Sequence, residues 1–131
     1  MCNSTEYSSY LQAGDPDSSA KTLGELAQSP CAHIRRRVAE NAATPLAIAI
    51  DLLRDTAVEV RIALTENEQI LPLLAPDLAR DKSSDVRFAL AENHSTPRPV
   101  LEYLLADENP YVAARAARTL NRSARALLYA A

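Results

Sequence analysis

Apolar positions along the chain recur at two spacings: three or four residues within a segment, and 26 residues between segments. In "VRFALAEN" (86–93), Val86, Ala89 and Leu90 share one helical face and the polar residues lie between them. The same string stands 26 positions earlier as "VRIALTEN" (60–67), and 26 before that as "IRRRVAEN" (34–41). On a 26-residue ruler, Ile34, Val60, Val86 and Val112 form one column, and Leu26, Leu52, Leu78 and Leu104 another. Polar columns are as regular: Arg35, Arg61 and Arg87; Glu40, Glu66 and Glu92; Asn41, Asn67 and Asn93; Asp55, Asp81 and Asp107. Repetition at this period without insertion predicts units that complete their cores against one another.

Each unit resolves into two short helices. The first is expected to start at Thr44-Pro45 or Thr96-Pro97, with the hydroxyl as N-cap and proline at the first helical position. Its apolar stripe is Ile48, Leu52 and Leu53 in one copy and Val100, Leu101, Leu104 and Leu105 in another. The copy "ILPLLAPDLARD" lacks the Thr and carries Pro72 and Pro76, so an irregular start is expected. The second helix follows the Asp and closes at Asn41, Asn67 or Asn93, a residue type that tolerates a left-handed turn. Helices of this length do not persist alone, and stacking supplies the missing contact.

The string Asp55…Val60-Arg61, repeated as Asp81…Val86-Arg87, resembles the inter-helix turn and second helix of HEAT repeats. With "AEN-x-x-TP" it is closer to the bacterial leucine-rich repeat variants of the same armadillo-type group. The resemblance implies an all-α, right-handed α-solenoid of about four 26-residue helix pairs, with the second helices on the concave side and an Asp–Arg ladder inside the stack. It covers residues 20–120; residues 1–19 are expected to be a capping or partly flexible segment, and 121–131 a C-terminal capping helix. Ala113, Arg118-Thr119 and Ser29 break the columns at the ends of the array, where capping units depart from pattern.

Composition narrows the chemistry. A chain of 131 residues, 47% apolar but with only six aromatic residues, builds its core from Leu, Ile, Val and Ala. Its net charge of −3 disfavours general affinity for nucleic acid or an anionic membrane. No apolar run is long enough to span a bilayer and no secretory signal is evident, so a cytoplasmic protein is expected. Cys2 and Cys31 are too few for a disulfide framework, or for the four-thiolate iron–sulfur cluster of one type of variant-repeat protein. His33 and His94 have no ligand partners at metal spacing, and two glycines cannot build a phosphate loop. No cofactor, metal or catalytic residue is expected, and the chain reads as a non-enzyme.

Columns that repeat identically serve the stack, whereas variable outward positions are free to serve a ligand. One outward face runs through His33, Arg36 and Glu40, then Glu59, Ile62 and Glu66, then Asp85, Phe88 and Glu92, and ends at Tyr111, Ala114 and Arg118. The candidate protein-binding residues are Glu59, Ile62, Glu66, Asp85, Phe88 and Glu92. Acidic and partly apolar, they suit a basic, partly apolar protein or peptide. Ile62 and Phe88 fit either a groove or the core between helices. Two other readings stay open: nucleic-acid binding through Arg35–Arg37 and Arg115, Arg118, Arg122 and Arg125, and a scaffold that assembles with itself.

Overall fold

The computed structural model describes residues 4–129, and every regular element among them is an α-helix. The chain divides into two compact units, Met1–Ile70 and Leu71–Ala131. The first holds α1 (Ser4–Gly14), α2 (Ala20–Leu26), α3 (Ala32–Glu40), α4 (Leu46–Leu52) and α5 (Val58–Thr65). The second holds α6 (Leu71–Leu78), α7 (Ser84–Glu92), α8 (Arg98–Leu104) and α9 (Pro110–Tyr129). In the first unit α3 packs between α1 and α5, with α2 against α1 and α3, and α4 against α5. In the second, α7 and α9 lie side by side, α6 packs on α7, and α8 on both α7 and α9.

The alternation of large and small apolar residues explains the close approach of neighbouring helices. Ile34, Val38 and Ala39 of α3, and Val60, Ala63 and Leu64 of α5, are buried. Val86, Leu90 and Ala91 of α7, and Val112 and Ala116 of α9, repeat the arrangement in the second unit. In the leucine column Leu52, Leu78 and Leu104 are buried; Leu26 is half-buried, and Leu23 fills the core of α2 in its place. The expected stripes need two corrections. Ala49 is buried where Ile48 is only half-buried, and Leu105 is exposed because it lies past the end of α8, in its C-cap.

The polar columns organise the turns. Asp55 Oδ1 accepts the Ala57 N–H, Asp81 Oδ1 that of Ser83, and Asp107 Oδ1 that of Asn109, each at 2.9 Å. Ser29 closes the same turn with its hydroxyl, accepting from Cys31 at 3.1 Å. Each column arginine donates to the turn carbonyl six residues earlier: Arg35 to Ser29 (2.8 Å), Arg61 to Asp55 (2.6 Å) and Arg87 to Asp81 (2.7 Å). Arg35 also forks onto Asp55 at 2.8 and 3.1 Å, and Arg87 onto Asp107 at 2.8 and 3.3 Å. The planar guanidinium thus ties its own turn to the next one. Donating to the Asp55 carboxylate raises the pKa of Arg35, and donating to Asp107 raises that of Arg87, in both cases outweighing burial.

Asparagine works differently from the expectation. No described residue has positive φ; Asn41 and Asn93 cap their helices in extended backbone, with φ of −73° and −81°. Their value lies in the amide. Asn41 Nδ2 donates to the carbonyls of Ala13 and Asp15, both at 2.9 Å, while its Oδ1 accepts the Ala43 N–H. Asn67 repeats this one period later, donating to Ala39 and Asn41 at 3.0 Å and accepting from Gln69. The threonines are likewise reassigned. Pro45 and Pro97, not Thr44 and Thr96, hold the N-cap positions of α4 and α8. The buried hydroxyls donate backwards, Thr44 to Val38 and Thr96 to Leu90, satisfying carbonyls at the end of the preceding helix.

Among the described residues both ends of the chain are helical. Residues 4–14 are a regular helix that packs on α3 and supplies carbonyls to Asn41 as α3 does to Asn67. The expected break at residue 121 falls inside α9, a single helix of 20 residues. Thr119 stands in the asparagine column and donates to Ala91 at 2.6 Å, 28 residues back, the span of the Asn67–Ala39 bond. Threonine has no amide oxygen to catch the next turn, so the Ala-rich helix continues. The irregular copy begins at Leu71, one residue ahead of the position set by Leu46 and Arg98, and carries Pro76 inside α6.

Candidate interaction surface

Glu59, Ile62 and Glu66 belong to the first unit and Asp85, Phe88 and Glu92 to the second. In each unit the two carboxylates are exposed and the apolar residue between them is half-buried. The inward faces of α5 and α7 fix this orientation. Val60, Arg61 and Leu64 on one helix, and Val86, Arg87 and Leu90 on the other, are buried. Ile62 and Phe88 therefore sit at the edge of the core, with part of each side chain facing solvent.

The four acids do not have one electrostatic role. Glu59 and Asp85 occupy first turns, where a carboxylate favours the helix dipole. Asp85 also follows a true cap, since its N–H donates to Ser83 Oγ at 3.2 Å. Glu66, the C-cap of α5, and Glu92, the last residue of α7, face the negative end of the dipole. A carboxylate there opposes the helix by about 0.3–1 kcal/mol. Glu40 holds the same place on α3, but Arg36 Nε reaches it at 2.9 Å and Arg37 Nη1 at 3.6 Å. Among the described residues Glu59, Glu66, Asp85 and Glu92 form no salt bridge, whereas Asp55 and Asp107 are buried in the ladder.

At the start of the predicted strip the surface changes character. His33, Arg36 and Glu40 line a cavity of about 360 Å³ with Tyr7, Tyr10 and Arg37. Sequence reasoning passed over Tyr7, Tyr10 and Arg37 because it left residues 1–19 outside the repeat. The signal was present: Tyr7 and Tyr10 stand 26 residues before His33 and Arg36, in the outward columns. At the other end of the strip Tyr111, Ala114 and Arg118 are exposed, as are Arg122 and Arg125 further along α9.

The described residues include no group of three His, Cys, Asp or Glu side chains placed to hold a metal. His33 and His94 are exposed, Cys31 is a half-buried free thiol, and Cys2 lies outside the described residues. Among the described residues no helix is long and apolar enough to cross a membrane. No family model, curated protein or solved structure matches the chain.

Proposed function

We propose that the chain is a HEAT-like helical-repeat module, a right-handed α-solenoid of about four 26-residue helix pairs, and that its work is non-enzymatic binding of a protein partner. The partner is basic and partly apolar, and it engages the acidic residues beside Ile62 in one unit and beside Phe88 in the other. The observation that carries this reading is the placement of Glu66 and Glu92. Both are exposed, both oppose the dipole of their own helix, and neither is neutralised by a described cation as Glu40 is. A residue that costs its helix stability and serves no internal contact has its use outside the chain.

The test is affinity capture from the native cell with three baits: the wild type, the double variant Glu66→Lys/Glu92→Lys, and Phe88→Glu. The expected outcome is a basic protein retained by the wild type in low salt and lost by both variants, each with wild-type circular dichroism. Capture that survives the double charge reversal removes the proposal. Nucleic acid retained in place of protein transfers the function to the exposed arginines of α9.

A further inference from the structure

At the cavity between α1 and α3 two positions depart from their columns together. Gly14 stands where Glu40, Glu66 and Glu92 stand in later copies, and Arg37 stands where Ala63 and Ala89 do. A Cβ added at Gly14 would overlap the Arg37 guanidinium. The stack does not require this pair, since α3 and α5 pack with Glu40 and Ala63 at the same places. The glycine makes room for the arginine, and the arginine lies over the Tyr10 ring with its guanidinium carbon 4.8 Å from the ring centroid.

The lining donates far more than it accepts. Arg36 commits Nε to Glu40 at 2.9 Å, and Arg37 reaches the same carboxylate only at 3.6 Å. Arg37 Nε is buried and has no acceptor among the described residues. Two guanidiniums against one carboxylate leave one net positive charge, flanked by the rings of Tyr7 and Tyr10. About 360 Å³ is the low end of the range for small-ligand pockets, room for one ring-sized group. A guanidinium edge pairs with a carboxylate in its plane, and a tyrosine face takes a flat ring. Glu40 sets the limit, since a dianion would meet its charge inside the cavity.

We infer that this cavity binds a ring carrying a single carboxylate, held by Arg36 and Arg37 and stacked against Tyr7 and Tyr10. The site is independent of the acidic residues on α5 and α7 and stands whether or not these bind a protein. Such a group can be a free aromatic acid or the C-terminal aromatic residue of a polypeptide.

Ring-proton NMR of the full chain tests this with benzoate, benzamide, inorganic phosphate and N-acetyl-glycyl-glycyl-phenylalanine as probes. Benzoate is expected to shift the Tyr7 and Tyr10 resonances saturably, with Kd on the order of 1 mM. Benzamide and phosphate should bind at least about tenfold more weakly. Arg36→Gln, at a half-exposed side chain that the fold does not need, should weaken benzoate about tenfold and leave benzamide unchanged. Gly14→Ala should keep the helical spectrum, since alanine favours the helix, and yet lose benzoate as Arg37 is displaced. Tighter binding of the peptide than of benzoate supports the site and identifies a chain terminus as the source; weaker binding supports it with a free acid. The inference is overturned if benzoate fails to saturate below roughly 20 mM, if benzamide matches it, or if folded Arg36→Gln and Gly14→Ala both bind as the wild type does.

Discussion

A single guanidinium is the unit of order at the residue scale. Arg87 satisfies the Asp81 carbonyl and both Asp107 oxygens at once, with 9% of its side chain exposed and 6% of that of Asp107. An ammonium cannot reproduce that planar fork, so Arg87→Lys should recover little of the loss caused by Arg87→Ala. Removing the carboxylate strands a buried cation, and Asp107→Ala should cost about 3 kcal/mol in urea unfolding. A loss below about 0.5 kcal/mol would equate the pair with an ordinary surface ion pair and contradict its structural role. The pH dependence follows from the sign of the shift. The arginine pKa is raised in the folded chain, so its contribution is complete below the unfolded value, itself far above neutrality, and is lost only as pH rises through the folded one. The stability gap between wild type and Arg87→Gln should therefore stay constant from about pH 6 to pH 10. A gap that narrows across this range would assign the effect to another titrating group.

At the scale of the element, the question is what ends a helix. Asn41 and Asn93 turn the chain out of α3 and α7, and Thr119, with one hydroxyl in place of an amide, lets α9 run on. Within α9 the buried residues are Val112, Ala116 and Thr119; among the described residues from 121 to 129 none is buried. Beyond Thr119 the helix rests mainly on the intrinsic propensity of its Leu, Arg and Ala residues, which is marginal for about ten residues. Amides of residues 114–119 should exchange on the order of 100-fold more slowly than those of 124–129. Uniform protection to the end of the helix would mean that the last turns are held by packing. The same chemistry explains what was legible in the sequence. Helices α2–α8 were readable because their apolar residues recur with the column polar residues between them. The conformation of Asn41 was not, since residue type permits a left-handed turn without requiring one, and the carbonyls of Ala13 and Asp15 decide the matter from 28 and 26 residues away. Helix α1 was missed because Gly14 replaces the glutamate of Glu40, Glu66 and Glu92, and because Tyr7 and Tyr10 stand in columns that vary from copy to copy.

For the whole molecule, the decisive fact is the reach of its polar contacts. The interhelical side-chain bonds of the ladder and asparagine columns span 20, 26 or 28 residues, and the Arg–Asp fork recurs in both units. Glu59, Ile62, Asp85 and Phe88 could be read from sequence because a column that serves the stack must repeat and theirs vary, whereas Glu66 and Glu92 repeat with Glu40 and were read only from sharing the same outward face. The ring-binding cavity could not be read, because the place of Arg37 in it depends on a glycine whose meaning is visible only against that arginine. On the proposed solenoid reading, local contacts also govern how damage spreads, since each repeat's stability is its own plus that of its neighbours. Asn41→Ala deletes the two bonds to Ala13 and Asp15 and the turn contact with Ala43, a loss of about 2 kcal/mol. Asn67 binds the backbone carbonyls of Ala39 and Asn41, which the substitution leaves in place, so α3 and α5 keep their tie. Hydrogen exchange should then accelerate in α1, much less in α5, and not at all in α8 and α9. Equal acceleration in α1 and α9 would show that the 26-residue period is a feature of sequence alone and that the chain opens as one cooperative body.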